Sequence, residues 1–249
     1  SKSDDNISSD NYELSNDGRT LVKWTNSNTT TLDMQADSKL QRVNTIAFEA
    51  FKGSNLTSIV FPNSLKEIGD EAFSGTKLTG GVKFNTTSNV VFGKKAFYFS
   101  DIVSVQLPYT TEISRSMFSN CYHLKEVTFG KVGVISNGAF HSCHALTQVD
   151  LRGSGVRQIG EAAFASCTAL TKVFLPASVE KIDDLVFGYC RSLQSITIDA
   201  LNPPTLTSDI FFGLNADQIP NIYVPAISVS DYKKAAFWST YAAKIHPKP

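Results

Sequence analysis

The chain of 249 residues carries 23 basic and 23 acidic side chains, a formal net charge of zero, which argues against a nucleic-acid or anionic-membrane partner held by bulk charge. Charged residues reach only 18%, against about 25% in ordinary globular proteins, while apolar ones reach 42%. The polar remainder is rich in Ser, Thr and Asn, which suits short strands and many turns, and no run of about 18 apolar residues is present to span a bilayer as a helix.

In chain order, residues 1–11 open on Ser1-Lys2-Ser3-Asp4-Asp5-Asn6, polar, acidic and poor in packing side chains. They read as a disordered tether, and a start without an initiating Met is the expectation for a mature secreted protein. Residues 12–39 read as an N-terminal cap. Tyr12-Glu13-Leu14 and Leu21-Val22-Lys23-Trp24 flank a turn at Asn16-Asp17-Gly18, which predicts a hairpin covering the first edge of the central segment.

Residues 40–222 are built from an internal repeat. Phe51, Phe73, Phe97, Phe118, Phe140, Phe164, Phe187 and Phe211 recur at spacings of 22, 24, 21, 22, 24, 23 and 24. Five residues before each lies an apolar side chain, as in Ile46, Ile68 and Ile113. Immediately before each comes Ala, Met, Val or Ile, and three residues after it comes a small residue in seven of the eight copies. Downstream of seven anchors runs a short apolar strand, such as Leu124-Val127-Phe129 or Leu170-Val173-Leu175, whose last two members share one strand face. One unit of this kind leaves its apolar face open, whereas stacked units make a continuous core. The spacing predicts a solenoid with one parallel strand per repeat. In residues 223–249, a C-terminal cap and tail, Ser230 precedes Tyr232, Ala235, Trp238, Ala242 and Ile245, spaced as one face of a helix that Pro247 and Pro249 would stop.

Residues 159–176 run Ile159, Ala163-Phe164, Cys167, Leu170, Val173, Leu175 and Pro176. This pattern resembles the BspA-type leucine-rich repeat of Treponema and Bacteroides surface proteins. The tail Ile222-Tyr223-Val224-Pro225-Ala226, with Tyr232-Lys233 and Trp238, is similar to the closing segment of those proteins. The likeness covers about residues 40–245. Departures are an insertion near Gly80-Gly81, Asn89 and Thr110 at usually apolar positions, and a decayed last repeat. The resemblance implies a leucine-rich-repeat solenoid of the α/β class, with one parallel sheet face and short helical turns or loops opposite. It also implies a surface protein that adheres to host or neighbouring-cell proteins. The acidic start resembles that of exported Bacteroides lipoproteins, in which such a stretch follows a lipidated Cys. On that reading the chain sits at the outer cell surface and meets the membrane only through an anchor preceding Ser1.

All four cysteines, Cys121, Cys143, Cys167 and Cys190, fall on one column of consecutive repeats. Stacked at about 4.8 Å with parallel Cβ directions, they predict a reduced, buried ladder of small side chains. Their even number in an exported protein keeps disulfides as the alternative. Cys121, His123, His141, Cys143 and His144 suggest a zinc site, but zinc needs four ligands converging at about 2.0–2.3 Å. The ladder points inward and the histidines do not, so neither metal nor cofactor is expected. The sequence holds no Gly-x-Ser-x-Gly elbow, no His-Glu-x-x-His and no complete phosphate loop around Gly93-Lys94-Lys95, so no catalytic residue is assigned. Asp70-Glu71 and Asp183-Asp184, at matching repeat positions, read as the start of a helical turn.

Strand alternation turns a second set of side chains outward. Glu126, Thr128, Gln148, Asp150, Lys172, Phe174 and Thr197 form two adjacent columns, with Arg152 beside them. Phe174, the aromatic among them, is the candidate anchor for a protein ligand, rimmed by mixed charge. The expected function is a non-enzymatic, monomeric repeat protein that binds other proteins through this face. A glycan-binding module and a passive spacer are the alternatives, the first requiring exposed rings along one groove.

Overall fold

Apolar residues two apart in each repeat place their side chains on one side of a strand, and these strands stack in register. The structure is a computed structural model that describes residues 7–249. The longer strands are Ser58–Val60, Gly81–Lys83, Ser104–Gln106, Glu126–Thr128, Gln148–Asp150, Lys172–Leu175, Ser195–Ile198 and Asn221–Val224. Neighbours within each ladder are parallel, and the buried members align, Val149 with Val173 and Val173 with Ile196. One hydrophobic core runs from Tyr12 to Ile245 with no second packed centre among the described residues.

Each coil carries more than the one strand expected. A second, two-residue strand forms around the apolar residue five before the anchor, as in Glu67–Ile68, Glu112–Ile113, Gln158–Ile159 and Lys181–Ile182. These also stack in parallel, Ile135 against Ile159 and Ile159 against Ile182. One inward side chain per strand leaves no alternation to read in the sequence.

Around the Phe anchors the chain forms an extended arc of tight turns, and no helix. Backbone φ is positive two residues before and two residues after most anchors, as at Glu71 (55°) and Gly75 (68°) or Ala162 (55°) and Ser166 (59°). The N–H groups of these two residues and of the anchor between them point along the solenoid axis, while those in between bond back within the coil. Phe73 N donates to Ala96 O at 2.8 Å, Phe118 N to Ala139 O at 2.7 Å and Phe140 N to Ala163 O at 2.7 Å. Backbone groups that a loop would leave open are thereby paired from coil to coil. The helical start read at Asp70 is absent for this reason: the Asp70 carboxylate instead accepts the backbone N–H of Lys94 in the next coil, at 2.8 Å. Asp184 likewise accepts the Thr207 hydroxyl of the following coil.

The anchors form a column of stacked rings. Centroids lie 5.3 Å apart between Phe97 and Phe118, 5.2 Å between Phe118 and Phe140 and 5.2 Å between Phe140 and Phe164, with planes within 12°. Tyr12 and Trp24 extend the column at one end and Tyr241 closes it edge-on at the other. Beside it runs the thiol ladder, with all four cysteines buried and unbridged. Each thiol donates to the carbonyl of the preceding anchor, Cys121 to Phe97 at 3.1 Å and Cys190 to Phe164 at 3.1 Å. Burial pushes the thiols up, Cys121 to about 11 and Cys190 to about 12, and Cys143 and Cys167 well above the ordinary value.

At the N-terminus, Tyr12–Leu14 and Thr20–Trp24 form the expected antiparallel hairpin, and Thr20 and Leu21 pair with the first short strand of the repeats. Residues 1–6 of the expected tether lie outside the described residues. Residues 7–11 are held in place: Ile7 N donates to Asp37 Oδ2 at 2.7 Å, Ser9–Asn11 form a 3-10 turn, and Asn11 O accepts Thr25 N at 2.8 Å. The cap also contributes Thr31–Asp33 as a first long strand, paired with Ser58–Val60.

The C-terminal helix is shorter than its spacing suggests. It spans Val229–Lys234 and stops at Ala235, after which Phe237 adopts φ 69° and a 3-10 segment runs over Trp238–Lys244. Side-chain bonds to the last coil select this break. Tyr232 OH donates to Ala200 O at 2.7 Å, and Trp238 Nε1 to Pro204 O at 2.8 Å. Ile245 is buried as a strand residue, beside Ile222 in a final parallel pair.

Candidate functional site

The outward faces of the long strands do not form one unbroken ladder. Three hydrogen-bonded groups occur, and one boundary falls between Glu126–Thr128 and Gln148–Asp150. A cleft of about 570 Å³ opens there, lined by Glu126, Val127, Thr128, Gln148, Asp150 and Arg152 among others. Five of the eight residues expected at a protein-binding face therefore border one cleft. Lys172, Phe174 and Thr197 lie on the next two strands of the same face, with Asp150, Phe174 and Thr197 on one row.

Phe174 points outward, as alternation requires, but its ring is half-buried rather than free. The Arg152 guanidinium lies 4.1 Å from the ring centroid. Arg152 is itself oriented by Asp150 through two parallel bonds, Nε to Oδ1 at 2.9 Å and an NH2 group to Oδ2 at 2.7 Å. This fork geometry fixes the guanidinium plane. The Arg152 bonds hold the Asp150 carboxyl below its ordinary range. Asp150, Arg152 and Phe174 thus form one pre-ordered unit at the cleft rim, presenting a cation–π face, a carboxylate edge and a partly covered ring. Sequence reasoning overlooked Tyr223, which continues the Phe174 row and contacts His246 with centroids 5.7 Å apart. Its signal was available, since Tyr223 sits between buried Ile222 and Val224.

Among the described residues, no group of three or more His, Cys, Asp or Glu side chains is placed to hold a metal ion. His123 faces Asp101 at 3.8 Å, His144 stacks on Tyr122 with centroids 4.9 Å apart, and His141 contacts the Ser142 hydroxyl at 3.0 Å. The three therefore have separate partners, and the thiols lie on the buried side. Burial, with the neighbouring His144, lowers the pKa of His141. No described helix is long and apolar enough to cross a membrane.

The stacked parallel coils, the continuous apolar core and the outward strand face define a leucine-rich-repeat solenoid. The sequence matches the BspA type leucine rich repeat region in six copies, over residues 25–147 and 111–245, and the chain belongs to that family. Its structure is similar to the T. pallidum leucine-rich repeat protein, at 20% identity and a TM-score of 0.50, covering 96% of this chain and 95% of that one. It is also similar to a leucine-rich repeat protein of Bacteroides ovatus, at 26% identity and a TM-score of 0.54, covering 90% of this chain and 58% of that one. No protein with a curated description matches the sequence.

Proposed function

We propose that this protein is a non-enzymatic, extracellular adhesion protein that grips a protein ligand on the strand face around the Glu126–Gln148 cleft. The observation that carries the reading is the Asp150–Arg152–Phe174 unit at the cleft rim. An aromatic beneath an oriented guanidinium, bordered by Glu126, Gln148 and Lys172, combines the residue types that concentrate binding energy with a polar rim that orients a partner. Family membership supports an interaction role and a place outside the cell. The protein acts as a monomer. A lipid-modified Cys ahead of Ser1 belongs to the same reading, and a gene in which a signal peptide ending in Cys precedes Ser1 is the expected result; a precursor without that Cys removes the anchor.

Adherence of the intact chain to immobilised extracellular-matrix and bacterial surface proteins tests the face. Arg152→Ala and Phe174→Ala should each weaken adherence by about tenfold, a change of about 1.4 kcal/mol. The double variant should lose less than the sum, because each side chain supports the other. Melting curves for both should stay close to wild type, since the cation–π contact contributes about 0.5–1 kcal/mol at an exposed site. Unchanged adherence in both variants rejects this face.

A further inference from the structure

Away from the strand face, the turns around three successive anchors carry a strip of aromatic side chains. Lys95 Nζ lies 5.1 Å from the centroid of Tyr98, Tyr98 is 6.3 Å from Phe99, Phe99 is 5.8 Å from Tyr122, and Tyr122 stacks on His144 at 4.9 Å with planes 20° apart. Phe99 is 53% exposed and Tyr122 40%. Asn120 reaches back to the Tyr98 hydroxyl at 3.2 Å, tying one coil to the next.

Of the strip's rings, Phe99 alone sits in the left-handed region of the backbone. Phe99 sits two residues after its anchor with φ 54°. Other coils place Gly53, Gly75, Asn120, Ser142, Ser166, Tyr189 or Gly213 at that position, of which glycine and asparagine enter the left-handed region readily. A bulky ring is rare in that region, and here the coil-to-coil bond from Phe99 N to Ser119 O at 3.0 Å holds it. Tyr189, at φ 58°, repeats the feature further along and meets Phe212 edge-on at 5.7 Å.

Two observations indicate what covers the strip. No aliphatic side chain is among the exposed large hydrophobics of these turns; the rings alternate with Asn120, Ser142 and the His123–Asp101 pair. Phe99 meets Tyr122 edge to face at 86° and His144 lies on one face of Tyr122, so the open ring faces form an angled surface among hydroxyl and amide groups, which suits the C–H faces and hydroxyls of pyranose rings. The second observation is charge. Lys94, Lys95 and Arg115 are exposed along one flank, on neighbouring rungs joined by the bond from Lys95 N to Arg115 O at 3.0 Å. Among the described residues none of the three side chains is in a salt bridge.

We infer that the Tyr98–Phe99–Tyr122–His144 strip is a binding site for an acidic polysaccharide. Its sugar rings stack on the aromatics, and its carboxylates meet Lys94, Lys95 and Arg115. The site is separate from the strand face and does not depend on that face binding protein.

Affinity electrophoresis of the intact chain through gels containing polygalacturonate, hyaluronan or neutral galactomannan tests the assignment. Retardation is expected in the two uronate gels and not in galactomannan, and it should weaken as salt rises. Tyr122→Ala and Phe99→Gly should each raise the apparent dissociation constant about tenfold, and replacing Lys94, Lys95 and Arg115 together with Ala should abolish the salt dependence. Phe99→Gly keeps the test clear of misfolding, because glycine suits the left-handed position and its melting temperature should match or exceed wild type. Arg152→Ala and Phe174→Ala should leave retardation intact. Retardation by galactomannan alone, by none of the gels, or undiminished in the aromatic variants overturns the site. So does a protein ligand that is lost with Tyr122→Ala while no polysaccharide binds.

Discussion

Phe140→Ala should destabilise the protein by about 3–5 kcal/mol, as expected for removing a buried aromatic ring without collapse of the space it leaves. Phe140 is fully buried and lies face to face between Phe118 and Phe164, with Phe129 edge-on at 5.7 Å. The arc backbone fixes the spacing of the column, so neighbouring rings have no path to close the gap. The same change at Phe211 should cost less, because its distance to Phe187 is already 6.3 Å and the C-terminal cap can adjust. The repeat geometry adds a second signature. Each coil contacts mainly its neighbours, so a defect in the middle weakens the coupling of two halves, whereas one at an end shortens the array. Urea unfolding of Phe140→Ala should therefore show a shallower or divided transition, and Phe211→Ala a single one. A loss at Phe140 of less than about 1 kcal/mol, the range of ordinary surface changes, would show that the column is not a principal source of stability.

Columns of this kind are the part of the fold most open to reading from sequence. A solenoid repeats each buried position once per coil, so the Phe, Ile and Cys columns stand out by period alone. Strand alternation also put Phe174 and Thr197 on the outside. What stayed hidden had no repeated apolar signature. The two-residue strands bury one side chain each, and the left-handed turn positions are filled by Glu49, Lys95 and Leu185 as well as by Gly, so the glycine signal is diluted. The C-terminal spacing matched a helix because Tyr232, Trp238 and Ile245 are all buried, but they are buried from a helix, a 3-10 segment and a strand in turn. At the strand face, alternation located the Phe174 ring. It could not show that Arg152, in the turn after Asp150, folds back across it. The aromatic strip lay unread because Tyr98, Phe99 and Tyr122 occupy three different positions relative to their anchors, and only the coiling brings them together.

Above pH 9 the protein should lose stability steeply, and the thiol ladder is the cause. In the unfolded chain the four cysteines lose their protons around the ordinary value of 9.0, whereas in the fold burial holds Cys121 protonated to about 11 and Cys190 to about 12. Cys143 and Cys167, in the middle of the ladder, are raised further by burial and by their neighbouring thiols. Between these limits the unfolded state binds fewer protons than the native state, so stability falls as pH rises. The stability the ladder gives is fully present below pH 9. Each thiol held protonated in the fold contributes a slope of up to about 1.4 kcal/mol per pH unit, so Cys121 and Cys190 alone remove about 3 kcal/mol by pH 10, and Cys143 and Cys167 add to the loss in the same direction. Burial raises Tyr232 and Tyr241 above their ordinary value of 10.0 in the same sense, so the decline continues beyond that point. Urea unfolding from pH 7 to 10.5, with reductant present throughout, measures the slope. Replacing all four cysteines with Ser supplies the control, because Ser100 already fills this column in an earlier coil and does not titrate. The serine chain should hold its stability nearly level between pH 8.5 and 10 while the native chain falls. If the two curves run parallel, the thiols are not buried as a ladder. In the native state at pH 8 the same four thiols should also resist alkylation and all react once urea opens the fold, because the thiolate is the reactive form and burial suppresses it.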